Sequence, residues 1–553
     1  MPHLPTAPFR RVARAAALLL ALAWAALAAA QAPTAVSGGA ARCESLAELR
    51  LPDTTITVAA FVPKGAAATA LKLPVGTDLP SFCRVVAHVR AAPDSDIGVE
   101  VWLPVEGWVG VFHGNGNGGF AGMLQAGYGG MLSGLRHGYA TATTDTGTAP
   151  ATMLDGDALI GHPRKWKDWG RLSTHVMTVT GKSVANAFYG RGASRSYYTG
   201  CSTGGQQGLI EALYYPADYD GILVGAPVIN RTWGHAATVW DYAAANRTPA
   251  SLLLDAKLRL LNRSAIAECN RQGAGLAGDP FITDPFRCRF DPTVLACKGA
   301  SSDGCLTLAE VATARAFYAG PSSRNGKPLF FGWLPGSEGT GIFGWSFLEK
   351  SSNGQPQFAS LFKWVFGDRW DWRGFDIDRD MPIVDAALGG DVNDATRGSL
   401  SAFAARGGRL ILYHGLADTL VPPGQTVAFY EQQARRLGGM ARLRGAARLF
   451  LAPGVMHCGG GAGPDSFNSA SAGVPPPPAP DAQDDLFLSL VAWVEENRPP
   501  ERVVATKFEG SDRRRIAFQR PLCAYPRRAI YTGKGPKDAA ESFVCEAGAR
   551  LSR

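Results

Sequence analysis

Gly200-Cys201-Ser202-Thr203-Gly204 follows the pattern G-x-S-x-G, and its surroundings decide the fold. The four residues before it, 196–199, read Ser-Tyr-Tyr-Thr, a short β-prone run. Residues 205–213 can form a helix. A serine between a strand and a helix, flanked by glycines, is the pattern of a nucleophile elbow. There the turn is tight, the serine backbone is strained, and its hydroxyl projects from the end of a sheet. Working outward, strand and helix patterns alternate from about residue 56 to 227, as an α/β fold requires. From about 229 to 394 the pattern changes to turn residues, four cysteines and a dense run of aromatics, including Trp333, Phe343, Trp345, Phe347, Phe362, Trp364, Phe366, Trp370 and Trp372. An α/β pattern resumes at 408–413. The chain of 553 residues is too long for one simple core, and a large domain carrying an insertion accounts for that length.

Composition narrows the function. Charged residues are 18% and hydrophobic ones 46%, the balance of a folded globular protein. The formal charge of +8 is spread along the chain without a basic run or an aromatic-interleaved basic stripe, which excludes nucleic acid as the expected partner. Arg10, Arg11 and Arg14 precede an apolar stretch, 15–27, and then Ala28-Ala29-Ala30. This is the pattern of a cleaved secretory signal peptide over 1–30; the stretch is short for a membrane anchor. The mature form is expected to be secreted or periplasmic and free of the membrane, with its oligomeric state left open.

Export changes the meaning of the ten cysteines, because disulfides persist in oxidising compartments. Local spacing pairs Cys269 with Cys288, Cys297 with Cys305 and Cys523 with Cys545, and places Cys43 with Cys83. Cys201 and Cys458 remain. Without CxxC pairs a zinc site is not expected. The leftover cysteines flank Ser202 and His457, so a bond between them would hold a nucleophile beside a histidine. Neutral histidine suits a general base near neutral pH. In the order serine, acid, histidine, the acid is Asp418, which follows the strand-like 409–414. It would orient the imidazole; the plainer reading is a turn residue. His113, His175 and His414 lack a partner motif and are read as structural. An acyl-transfer serine also needs an oxyanion hole. Its donors are expected from the backbone N–H of Thr203 and from the Gly-rich stretch 114–119, with Gly116 the first choice and Gly118 or Gly119 the alternatives. No Lys-Ser/Thr follows that stretch, which disfavours a phosphate loop.

Taken together, Cys201-Ser202, Asp418 and His457-Cys458 resemble the CS–D–HC arrangement of the tannase and feruloyl esterase family. The likeness extends through 116–122, 144–147, 221–227, 305–307 and 410–415. The resemblance implies an α/β-hydrolase core, divided as 31–228 and 395–553, with a lid domain over 229–394. It implies a carboxylic ester hydrolase whose partner is a small aromatic ester, with no cofactor required. Two departures stand out. The family's lid calcium loop is degraded here: Asn270 replaces the first acid, a second is missing, and Asp279 alone clearly remains. A calcium site is therefore expected to be weak or absent. Terephthalate half-ester hydrolysis is associated in the family with a lid arginine and an acidic residue after the serine. Here Thr203 follows the serine and 355–362 has no arginine, which favours a plain phenolic ester. The rival readings are a half-ester hydrolase of the mono(2-hydroxyethyl) terephthalate type and a phenolic-binding protein without catalysis.

Overall fold

The computed structural model describes residues 38–548 apart from 75–76, 342, 352–353, 471–475, 479 and 511. The segment read as a signal peptide lies outside the described residues. Nine strands form one sheet in the order β1-β2-β3-β5-β4-β6-β7-β8-β9. They are β1 (Thr54–Val62), β2 (Phe82–Val89), β3 (Ile97–Pro104), β4 (Val111–Asn115), β5 (Ala140–Thr144), β6 (Arg195–Cys201), β7 (Gly221–Gly225), β8 (Arg409–Gly415) and β9 (Ala447–Ala452). The first three strands, with β5 beside them, pair antiparallel. From β5 through β9 every pairing is parallel. A parallel sheet must be covered on both faces, and the side chains divide accordingly. Tyr198, Ile222 and Leu410 join one buried cluster. Their chain neighbours Tyr197, Leu223 and Ile411 join the cluster on the other face. This is the two-residue period of strands, read in packing.

Helix α1 (Ser173–Tyr189) and helix α2 (Thr203–Tyr214) cover the sheet, and α2 starts directly from β6. The insertion leaves after β7, begins with α3 (Arg231–Ala245) and runs through α4 (Ile377–Val392) before the chain re-enters the sheet at β8. The insertion thus lies between Gly225 at the end of β7 and Arg409 at the start of β8. The aromatics of the insertion mostly pack among themselves. Trp333, Trp345 and Phe347 belong to one buried cluster, and Phe362, Trp364 and Trp370 to another. Helix α5 (Leu486–Glu496), opened by Asp485 accepting from the N–H groups of Phe487 and Leu488, packs on the second face of the sheet. Two C-terminal hairpins follow: β10 (Arg502–Glu509) with β11 (Arg515–Cys523), and β12 (Arg527–Tyr531) with β13 (Phe543–Ala547).

All five disulfides join the pairs read from the sequence: Cys43–Cys83, Cys201–Cys458, Cys269–Cys288, Cys297–Cys305 and Cys523–Cys545. Among the described residues no helix is long and apolar enough to cross a membrane.

Candidate active site

The turn from β6 into α2 is built by close backbone approach. A Cβ on Gly200 would stand 2.5 Å from the Gly204 carbonyl oxygen, and one on Gly204 would stand 2.9 Å from the Asn117 carbonyl oxygen. Only glycine fits at either place. Ser202 between them has φ 62° and ψ −121°, a conformation that costs an ordinary residue on the order of 1–3 kcal/mol and persists only where the surroundings over-determine it. They do so here: the Ser202 N–H donates to Gly225 O at the end of β7, and Ser202 O accepts from Gln206 N–H.

Ser202, His457 and the Cys201–Cys458 bond line one cavity of about 470 Å³. His457 stands in the loop after β9, and its Nδ1 is 2.8 Å from Asp418 Oδ2. A carboxylate can only accept, so Nδ1 carries the proton and Nε2 is left basic. Asp418 is fully buried. Its Oδ1 accepts from the N–H groups of Leu420 and Val421 at 2.8 and 3.0 Å. Burial pushes this carboxyl up, but the opposing pull of His457 and hydrogen bonds from His414 and His457 outweigh it, holding it below the usual carboxylate range.

His414 departs from the purely structural role read for it. Its Nε2 lies 3.2 Å from Asp418 Oδ2 and 2.9 Å from Val421 O, while Nδ1 faces Thr426 Oγ1 at 2.8 Å. The carbonyl fixes Nε2–H as the donor, so a second imidazole supports the same carboxylate. The signal was present in the i, i+4 spacing of His414 and Asp418. His113 and His175 are apart from the site: His113 faces Thr199, with its pKa pushed down to about 3 by burial and by His137. His175 Nδ1 lies 2.6 Å from Asp218. With the buried Glu211 these two bring ligand-type atoms within 4.8 Å of one another. Lys182 donates to the Asp218 backbone carbonyl beside this cluster.

The second oxyanion donor needs correction. The Gly116 N–H donates to Thr199 O at 2.9 Å, continuing the β4–β6 ladder, and is spent. The glycine is required there by packing, since a Cβ would meet the Tyr198 hydroxyl at 2.4 Å and Gly204 Cα at 2.5 Å. Gly118 and Gly119, the alternatives read from the sequence, also line the cavity. Thr203, at the first turn of α2, keeps the N–H that a helix start leaves unpaired. Its hydroxyl donates to Gly119 O at 2.9 Å, which ties the elbow to the glycine loop.

Sequence reasoning missed the wall formed by α3. Arg231, His235 and Thr238, spaced i, i+4 and i+7, line the cavity, as one helix face does. Of the insertion's aromatics, Phe343 and Phe358 reach it. Phe343 meets the His457 ring edge-on at 5.8 Å. The absence of an arginine in 355–362 therefore did not leave the cavity without a guanidinium; it comes from Arg231.

Of the residues assigned to calcium, Asn270 Oδ1 and Asp279 Oδ2 are buried oxygens without a hydrogen-bond donor, while the remaining polar atoms are engaged. Asp279 Oδ1 accepts from Arg520 Nη2 at 2.8 Å, and Asp284 pairs with Arg528 at 3.0 Å. Asn270 reaches only the Asp279 carbonyl, at 3.5 Å. Calcium takes about 6–8 oxygen ligands, whereas here the one assigned carboxylate already faces a guanidinium.

Comparison with known proteins agrees with this geometry. The family model for tannase and feruloyl esterase matches residues 83–357 and 375–546. An uncharacterized esterase of Xanthomonas campestris pv. campestris is 36% identical over 92% of each chain. A "Probable feruloyl esterase B-2" of Aspergillus terreus is 30% identical over 91% of this chain and 95% of its own. The crystal structure of feruloyl esterase B from Aspergillus oryzae superposes with a TM-score of 0.81 at 26% identity, covering 92% of this chain and all of that one. Tannin acyl hydrolase from Aspergillus niger shares the fold, with a TM-score of 0.67 at 19% identity over 90% and 91% of the two chains. The strained elbow serine, the buried histidine–carboxylate pair and these matches across the chain together show that it belongs to the tannase and feruloyl esterase family of carboxylic ester hydrolases.

Proposed function

We propose that this chain is an exported serine esterase that cleaves esters of phenolic acids through an acyl-enzyme. One observation carries the reading: a serine in a strained elbow shares a cavity with a histidine whose Nδ1 is 2.8 Å from a buried carboxylate, and a disulfide joins their chain neighbours. Ser202 Oγ attacks the ester carbonyl carbon as His457 Nε2 takes its proton. The tetrahedral oxyanion is held by the N–H of Thr203 and by that of Gly118 or Gly119. His457 returns the proton to the departing alcohol oxygen. It then activates water, which releases the acid and restores Ser202. Asp418 keeps the proton on Nδ1 and stabilises the imidazolium. The chemistry draws on side chains and backbone amides, with no cofactor in any step.

The insertion serves as the lid, and Phe343 and Phe358 offer apolar faces to an aromatic acyl group. Five disulfides support folding in an oxidising compartment and hence export. The test is kcat/KM on methyl ferulate, methyl gallate and mono(2-hydroxyethyl) terephthalate, for the native chain and Ser202→Ala. Turnover that disappears in the variant is expected, and the ranking names the acid. Retained hydrolysis in Ser202→Ala would overturn the mechanism. Absence of labelling by a fluorophosphonate would favour a binding protein.

A further inference from the structure

Arg231 opens α3 and is 3% exposed. Its guanidinium packs over the Trp169 ring at 4.5 Å. Nε donates to Gln206 Oε1 at 2.9 Å, and Nη2 donates to Gln206 Oε1 and to Thr203 Oγ1. Every one of these acceptors is neutral. Among the described residues no carboxylate lies within ion-pair distance of it, and Nη1 has no protein acceptor. The nearest titratable side chain on the same wall, His235, is held neutral: its pKa is pushed down to about 3 by burial and by the charge of Arg231. Burial lowers the guanidinium to about 9, so it remains charged at neutral pH. A buried cation without an anion is costly, and proteins normally pair it. Arg231 lines the same cavity as Ser202 and His457, so the missing anion can come from what the cavity binds.

We propose that Arg231 anchors a carboxylate carried by the ester substrate. The carboxylate can belong to the acyl part, as in a half-ester of an aromatic dicarboxylic acid. It can equally belong to the alcohol part, as in a phenolic acid esterified to a hydroxy acid. The planar guanidinium suits a carboxylate better than an ammonium would. This anchor rests on the serine-esterase reading above; an alcohol-side carboxylate narrows the phenolic-ester reading, and an acyl-side one replaces it by the half-ester rival.

Two matched pairs of esters test the anchor and separate the sources. Monomethyl against dimethyl terephthalate probes the acyl side, and chlorogenate against methyl caffeate probes the alcohol side. The native chain should prefer the carboxylate member of one pair by about tenfold or more in kcat/KM, mostly through KM. Arg231→Gln should collapse that preference by about tenfold, and Arg231→Lys should retain part of it. A native preference below twofold in both pairs overturns the anchor. So does an equal loss on both members in Arg231→Gln, which would mean that the guanidinium acts on all esters alike through Thr203. Calorimetric binding of the same pairs to Ser202→Ala, with and without Arg231→Gln, reads the anchor independently of turnover. A carboxylate preference there supports it even if no ester is cleaved and the phenolic-ester reading fails. No preference sinks it.

Discussion

The elbow and the insertion solve the same problem, placing groups around one cavity, by opposite means. At the elbow the backbone does the placing. Gly200 and Gly204 permit contacts that no Cβ allows, and Ser202 is held in a strained conformation by hydrogen bonds from neighbouring main chain. In the insertion the side chains do it. Trp345 and Trp364 fill its interior, leaving a few residues, Arg231 and Phe343 among them, to face the cavity. A backbone-built site tolerates little change at any position, whereas a side-chain-built wall can be altered residue by residue.

The largest break in this contrast should come from Asp418→Asn, which removes the charge without removing bulk. By analogy with other Ser-His-Asp sites, kcat should fall by about 10⁴-fold, measured on whichever ester the native chain turns over fastest. The same variant has a signature in stability. The Asp418 carboxyl is held below its ordinary value, so its contribution is present above about pH 4, where the unfolded chain ionises, and is lost as pH falls further. The difference in denaturant midpoint between native and variant chains should therefore shrink on acidification. A constant difference would sever Asp418 from the acid limb.

The covalent tie comes next. Replacing Cys201 and Cys458 together by alanine should cost about 2–4 kcal/mol of stability, read from urea midpoints. Activity should fall beyond what unfolding explains, because the bond also sets the distance between Ser202 and His457. Full kcat in the folded double variant would make the bond a staple and nothing more. Sharpening the comparison on the insertion side, Trp345→Ala should destabilise by about 3–5 kcal/mol, as large-to-small core changes do. Phe343→Ala should leave the melting temperature nearly unmoved while raising KM. If both changes acted alike, the division between core and wall would be wrong. The smallest effect is expected for His414→Gln, a several-fold loss in kcat with a shifted acid limb of the pH–rate profile. An unshifted profile would return His414 to a packing role.

What could be read from the sequence follows the same division. The elbow, Asp418 and His457 were legible because their chemistry is local: a motif, a strand end, a cysteine neighbour. The pairings were legible because short loops limit the choices, leaving Cys201 for Cys458. Gly116 was misread because whether an amide is free depends on which strand runs beside it, and the β4–β6 pairing brings Thr199 O to that N–H. Arg231 and His235 were invisible because nothing in 227–238 distinguishes a cavity-facing turn of helix from any other. The aromatic density of the insertion announced a buried core, and it says nothing about which two rings the cavity receives. Arg520 and Arg528 came from more than two hundred residues away to meet Asp279 and Asp284, a pairing no local pattern contains.

The Cys201–Cys458 bond spans 257 residues and encloses the whole insertion with its two short disulfide loops. On the export proposed above, a chain threaded outward from its N-terminus would present Cys201 long before Cys458. In that interval Cys269, Cys288, Cys297 and Cys305 emerge in turn, each a competing partner. Correct maturation therefore requires those four to be consumed locally, or a wrong bond to be exchanged later. On that route the bond beside nucleophile and base would close only after residue 458 had crossed. The oxidising compartment would thus set the moment at which the last covalent tie of the site is made.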